Sequence, residues 1–529
     1  AVWAAGGRPV AGGASGGASG DSGAAETDAV STGWVGERPE GGEPQSGNPQ
    51  PGGTLAYATY NSVSSLDPAD RQDGGATGGT EMAAIYGLLM RYDPAADEYV
   101  PQLAESLTAN DADTVWTLTL RDGVTFNDGT PLDADAVVWS IDHYLQKRGT
   151  HSQVWQASVD STVAQGPQTV VFTLKRPWSA FPSMLTTGPG MVVAPSSTAS
   201  GEFTPAGAGP FTVTKFAPQN ELVLTAREDY WGGAPHLDEL RFPAIVQEQG
   251  KVDALNTGGI EAAYLRNTDV VHGAITGGLR GWSYAANMSG ILQINSRPDR
   301  AGADPLVRQA IVAAVDPEFF DQRVNGGYGA PGSAMFQESS VWNTGTGVET
   351  YDPERARTLL DEAMADGFDG VLSYAGVNAP AAQQSALAAQ AMLEAVGFTV
   401  ELNLTNNIND LIKTMYAEHD YDIGYSAFNV LDDAPFVRLY GNLHSESTSN
   451  AMGYADPQMD GLLLDVQTAR SEDEKRDVLA RIQQRVIETA PFATIGAGRA
   501  FVAMGETARG VQPSQDGIML FDEAWIDQG

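Results

Sequence analysis

Cysteine is absent from all 529 residues, which excludes disulfides, thiolate nucleophiles and cysteine-held zinc. Histidine is scarce. The six residues His143, His151, His236, His272, His419 and His444 include no pair at the i,i+4 spacing of a helical metal site and no H-E-x-x-H. Basic residues are few, 30 Lys and Arg against 67 Asp and Glu, and the resulting charge of −37 repels phosphate backbones and anionic lipid alike. That argues against a nucleic-acid partner, and its direct consequence is solubility. No stretch approaches the roughly 20 consecutive apolar residues of a membrane-spanning helix. No constellation of side chains calls for a metal or a cofactor, so none is expected. Two motif matches are accidental. Gly13-Ala14-Ser15-Gly16-Gly17 lacks the flanking strand and helix of a nucleophile elbow. The G-x-G-x-x-G at Gly327–Gly332 follows a helix-like segment and contains Pro331.

What is present divides the chain. A length of 529 residues exceeds one hydrophobic core, so two or three domains are expected. Residues 1–51 are rich in Gly, Ala, Ser and Pro and offer little apolar surface to offset chain entropy; they read as a disordered tether. Leu55–Ala58 reads as the first strand of the folded body, and residues 208–285 as strands and turns. Between Tyr99 and Tyr144, Trp116, Leu118 and Leu120 alternate with Thr117 and Thr119, the period of a strand with one buried face. Asn127-Asp128-Gly129 supplies a turn, and Val137, Ile141 and Tyr144 line one face of a helix starting near Asp133. A second apolar run follows at Val170–Leu174. Beyond residue 286 helices and strands alternate. Asp304-Pro305 and Asp352-Pro353 each pair a cap with a first-turn proline, and Ser471 and Glu474 have capping-box spacing. Between them lie a helix through Ala388, Met392 and Ala395, ending at Gly397, and the alternating strand Phe398–Leu404.

Several segments together resemble the family 5 extracellular solute-binding proteins of bacterial ABC importers, the group of oligopeptide, dipeptide and nickel receptors. The carrying residues are "PQLAES", "WTLTLRDGVTFNDGTPLDADAVVWS", Gly209-Pro210-Phe211, Tyr230-Trp231 with Pro235, Val307–Ile311 with Asp316, and Gly453-Tyr454 with Pro457 and Asp460. They occur in the family's order from about Gly53 onward. The resemblance implies an α/β, two-lobed periplasmic-binding-protein-like fold of the large type II kind, with mixed sheets flanked by helices and a hinge between the lobes. It implies lobe one over 52–287 plus 494–529, with an extra subdomain at 79–207, and lobe two over 288–493. The ligand is expected between the lobes.

The resemblance also suggests site residues. In peptide-binding members the loop after the strand matching Tyr421-Asp422-Ile423 carries a Trp that packs on the ligand and an Asp that grips its α-ammonium. Here the Trp position falls on Phe428 and the Asp position on Leu431, with Asp432 and Asp433 next and Pro435 retained. The candidates in this loop are Phe428, Asn429, Asp432 and Asp433. The loop Ala375–Pro380 holds Asn378 but no Arg for a ligand carboxylate, leaving Arg438 as that candidate. Tyr60, Asn61 and Ser62 are the first-lobe candidates. The implied activity is capture of a short peptide or peptide-like solute and its delivery to a membrane permease, without catalysis. A monomer is expected, at the outer face of the membrane, lipid-anchored in the precursor, or in the periplasm. Sugars, opine-like compounds and metal chelates are alternative ligands. A secreted α/β hydrolase is a weaker rival, since no nucleophile–base pair stands out, and an adhesive surface protein fits only the tether.

Overall fold

The structure, a computed structural model, describes residues 31–36, 47–345 and 348–529. Its backbone is a mixed twelve-stranded sheet whose two halves meet on one pair of strands. Ten of the strands run, from one edge, in the order Thr399–Thr405, Val371–Val377, Ile423–Ser426, Arg280–Ile294, Phe492–Met504, Ala262–Leu265, Thr54–Ala58, Glu239–Pro243, Glu221–Ala226 and Phe211–Ala217, and the short strands Gly33–Val35 and Ala330–Pro331 pair beside this path with Arg280–Ile294 and Phe492–Met504. The long strands Arg280–Ile294 and Phe492–Met504 run antiparallel and belong to both halves. Their register runs from Arg280 opposite Met504 to Ala286 opposite Gly498, then shifts, and resumes with Ile291 opposite Thr494. Such an interruption bends a strand and increases its twist. Met288 sits there in the left-handed region at φ 50°. A Cβ on Gly496 would lie 2.3 Å from the Ala330 carbonyl oxygen, so only glycine lets that backbone pass so close.

Local chemistry sets the helices. The Asp304 carboxylate accepts from the Leu306 N–H at 2.8 Å, and Asp352 from the Arg355 N–H at 2.9 Å, each just before a first-turn proline. Asp133 caps Ala134–Gln146 by accepting from the Ala136 N–H, and Ser471 and Glu474 form the full capping box. The four strands Ala104–Ala109, Val115–Leu120, Thr169–Leu174 and Val159–Ala164 make a separate antiparallel sheet, with Trp116, Leu118 and Leu120 buried as their alternation predicts. One hydrophobic cluster runs from this sheet, through Leu118, Phe172 and Trp178, into the second-half helices that carry Phe436, Leu463 and Leu479. Its seam is the edge-on contact of Trp178 with Phe436, ring centroids 5.3 Å apart.

Two readings of the sequence are corrected. Residues 208–285 contain not only strands and turns but the helices Glu248–Asn256 and Thr268–Thr276. Gly250 and the β-branched Val270, Val271 and Ile275 weaken their intrinsic preference; burial of Val252, Leu255, Val271 and Ala274 beside Phe501 holds them. The segment read as a disordered tether is partly ordered. Gly33–Val35 is a strand antiparallel to Gly281–Ser283, on the same edge of Arg280–Ile294 as Ile423–Ser426 but at the stretch that strand does not reach. Trp34 packs edge-on against Trp282 at 5.8 Å, and Thr32 Oγ1 accepts from the Ala285 N–H at 3.1 Å. Further on, the Gln50 carboxamide accepts from the Gln528 N–H at 3.1 Å. A single Trp in a Gly-rich stretch supplies apolar surface that average composition hides. Residues 1–30 and 37–46 of that expectation lie outside the described residues.

Trp34→Ala is therefore expected to lower the thermal unfolding midpoint, by an amount equivalent to about 1–3 kcal/mol, and to speed amide exchange across residues 281–285. Parent-like melting and exchange would mean that this strand does not stay docked in solution.

Candidate functional site

The first wall of the site is the turn that leaves the strand Thr54–Ala58. Thr59 is buried, Tyr60 half-buried, and Asn61 and Ser62 exposed. Lys251, fully buried, ties this turn down: its ammonium donates to the carbonyls of Thr59 at 2.8 Å and Tyr264 at 3.3 Å. Burial pulls the Lys251 pKa down to about 8, partly opposed by Glu248. The Tyr60 ring lies 5.9 Å from Tyr264 and 5.8 Å from the Arg266 guanidinium. Beneath it the Thr59 hydroxyl is 3.0 Å from Glu81 Oε1, while Glu81 Oε2 is buried with no hydrogen bond among the described residues. Burial raises the Glu81 pKa from 4.5 to about 7.

The second wall is the loop from Phe428 to Arg438. The broken register of the crossing strands positions it, because Asn287 and Val430 exchange backbone hydrogen bonds at 2.9 and 3.0 Å. The structure separates the candidates in this loop. Phe428 is 4% exposed and meets Phe492 edge-on at 5.0 Å, so its ring belongs to the core and not to the cleft. Asn429, in the left-handed region at φ 51°, presents its Oδ1 to Ser289 Oγ and Arg266 Nη2, both at 2.9 Å. Asp432 is spent on structure: it accepts from Asn287 Nδ2 at 2.9 Å, Ser340 Oγ at 2.6 Å and the Val341 N–H at 3.1 Å. Its own carbonyl accepts from Trp342 Nε1 at 2.7 Å. Asp433 faces away from that network, toward the Tyr99 hydroxyl at 3.4 Å and the Gln515 carboxamide. It has no ion pair among the described residues. Burial, with Asp516 and Asp432 adding to it against the Gln515 hydrogen bond, raises its pKa from 3.8 to about 6.

Arg438 pairs with Asp516 at 3.4 Å. The two line a cavity of about 30 Å³ together with His151, Ser183, Thr187 and Gln515. Asn378 is exposed at the end of the strand Val371–Val377, where its Oδ1 accepts from Gln383. The site thus joins Tyr60, Asn429 and Asp433 to Arg266, Tyr264, Tyr99 and Gln515, none of which the sequence had singled out. For Arg266 a signal existed: it is the first charged residue after the all-buried strand Ala262–Leu265, where a side chain emerges at a sheet end.

The family profile described as bacterial extracellular solute-binding proteins, family 5 middle, matches residues 98–450. A Brucella ovis protein named for ABC transporter peptide binding is 29% identical over 349 residues, 61% of this chain and 64% of that protein. The chain therefore spans less than two thirds of the length of the first curated relatives it matches. The glutathione-binding protein GsiB of Pectobacterium atrosepticum is 24% identical over 485 residues, 88% of this chain and 93% of the other. The oligopeptide-binding protein AppA of Bacillus subtilis, solved in complex with a nonapeptide, superposes with a TM-score of 0.76 over 91% of this chain and 100% of that chain, at 20% identity. At that identity the likeness speaks for the fold, and the two-lobed α/β architecture expected from the sequence is the one found.

Glu81 beneath the first wall gives a pH dependence with a definite sign. Its folded pKa of about 7 lies above the 4.5 of an ordinary glutamate. The folded state then holds the proton more tightly, so this contribution is fully present below about pH 4.5 and is lost as pH rises through 7. Above pH 7 the ionised carboxylate costs roughly 3 kcal/mol. Glu81→Gln is expected to be more stable than the parent at pH 8, with the gap closing toward pH 5 in urea titrations. A gap independent of pH would show that Glu81 is not titrating in this way.

Proposed function

The chain belongs to the family 5 bacterial extracellular solute-binding proteins, and from that premise we propose that it is the substrate receptor of an ABC importer. It captures a short peptide or peptide-like solute between its lobes and presents it to a membrane permease, outside the cell membrane or in the periplasm. Lobe one takes residues 52–287 and 494–529, with the subdomain at 79–207, and lobe two takes 288–493. The halves of the central sheet and the two crossing strands support this division.

The observation that carries the ligand class is Asp433. A carboxylate in a partly desolvated cleft, beside two further acids, with no ion pair among the described residues and Lys475 acting on it only from beyond ion-pairing distance, is costly to ionise. A ligand ammonium removes that cost and makes a charge-assisted hydrogen bond. The names of the relatives point the same way, toward peptides and glutathione. Tyr60 and Asn429 complete the proposed contacts from the two lobes, and closure follows because they lie on opposite sides of the hinge.

The two adjacent acids should separate cleanly on mutation. Asp433→Asn is expected to weaken binding of a peptide with a free N-terminus roughly tenfold to a hundredfold, with the empty protein as stable as the parent or more so. Asp432→Asn should instead lower stability, by about 1–3 kcal/mol, since it weakens three hydrogen bonds that hold Asn287, Ser340 and Val341. Calorimetric titration with trialanine and thermal melts of both variants measure this. Unchanged affinity in Asp433→Asn would move the reading to a neutral or anionic solute.

A further inference from the structure

We infer that Arg266 is the anion-binding residue of the cleft and takes the carboxylate end of the ligand; the inference rests on the peptide reading above. Several described arginines lack an ion pair, but Arg121, Arg280, Arg297 and Arg308 give their guanidinium to backbone carbonyls, whereas that of Arg266 reaches the Asn429 side chain on the opposite wall of the cleft. Arg266 is half-buried and has no ion pair among the described residues. The nearby acid Glu248 is spent on the backbone: its Oε2 accepts from the N–H groups of Arg266 and Asn267, both at 2.9 Å. That fixes the loop and leaves the guanidinium with no carboxylate hydrogen bond among the described residues.

The surroundings suit a carboxylate. The guanidinium lies 5.8 Å from the Tyr60 ring centroid, and the buried Lys251 ammonium lies 5.8 Å from the same centroid, so two cations flank one aromatic wall. Across the cleft, Asn429 Oδ1 is occupied by Arg266 and Ser289, while its Nδ2 makes no hydrogen bond among the described residues. A carboxylate entering here would accept from the planar guanidinium of the first lobe and from the amide Nδ2 of the second. Its binding energy would then depend on both lobes being in place, which is the requirement for a ligand to favour closure.

Asn429 and Asp433 are four residues apart, at most ~14 Å along an extended chain. A ligand with its ammonium at Asp433 and its carboxylate beside Asn429 is thus a short zwitterion, about two to four residues if it is a peptide.

The test uses the full chain, with trialanine, trialanine C-terminal amide and N-acetyltrialanine titrated by calorimetry, and succinate followed by thermal shift. Amidation is expected to weaken binding to the parent roughly tenfold to a hundredfold. Arg266→Gln should weaken trialanine by the same factor and leave the amide unchanged, and Arg266→Lys should recover part of the loss. An amide that binds the parent as tightly as the free acid overturns the inference, as does an Arg266→Gln variant that weakens both equally. The N-acetyl peptide reads the Asp433 end separately: a loss on acetylation without a loss on amidation leaves the peptide reading standing and this inference fallen. If no tripeptide binds, the peptide reading fails, and succinate decides Arg266 alone. A midpoint rise in the parent that is lost in Arg266→Gln supports the anion site; equal shifts, or none in either, overturn it.

Discussion

The pairing of Arg280–Ile294 with Phe492–Met504 is the constraint on which the rest of the structure depends. These are the strands that the two halves of the sheet share, and their ladder is complete at both ends and broken in the middle. The break is local: Asn287, Met288 and Ser289 leave the ladder, and Asn287 turns its backbone to Val430 instead. What would be a flaw in a flat sheet is here the point from which the second wall of the cleft hangs. Asn287 also gives its side chain to Asp432, so the same residue interrupts the ladder and anchors the loop that carries Asn429 and Asp433.

Charge is distributed against the average of the chain. The surface is strongly acidic, yet the cleft gathers Arg266, Lys251 and Arg438 along with Asp433 and Asp516. Lys251 is quieted by three carbonyls and Arg438 by Asp516. Arg266 and Asp433 make no ion pair among the described residues, although Lys475 lies near enough to act on Asp433. Opposite unmet charges inside a partly desolvated groove favour a solute that carries both, and disfavour the singly charged ions that are abundant in any medium.

Local rules were legible in the sequence and long-range ones were not. Asp304, Asp352, Asp133 and the Ser471–Glu474 pair act within four residues of themselves, and each forms the cap that its spacing predicts. Gly33–Val35 was invisible because three residues show no period, and its partner lies about 250 positions away. The site divided in the same way. The acidic pair before Pro435 could be found, but which member faces the cleft depends on Ser340 and Asn287, far along the chain. Phe428 held the aromatic position expected of a ligand wall, yet Phe492, from the last crossing strand, draws it into the core. Arg266 has no motif around it. Its meaning comes from the reach of its guanidinium to Asn429 on the opposite wall, which only the assembled fold reveals.

The seam between Trp178 and Phe436 bears on how the molecule behaves when empty. The rings, 2% and 3% exposed, join the four-stranded sheet to the helices of the opposite half in one continuous apolar body. Any parting of the halves along that seam wets large aromatic faces that are otherwise dry, and presents them to neighbouring molecules. A crowded population of molecules opened in this way would then be prone to stick through these faces. The net charge of −37 supplies the opposing long-range repulsion. In that light the acidity acts as a colloidal safeguard, and it weakens as added salt shortens the reach of the repulsion.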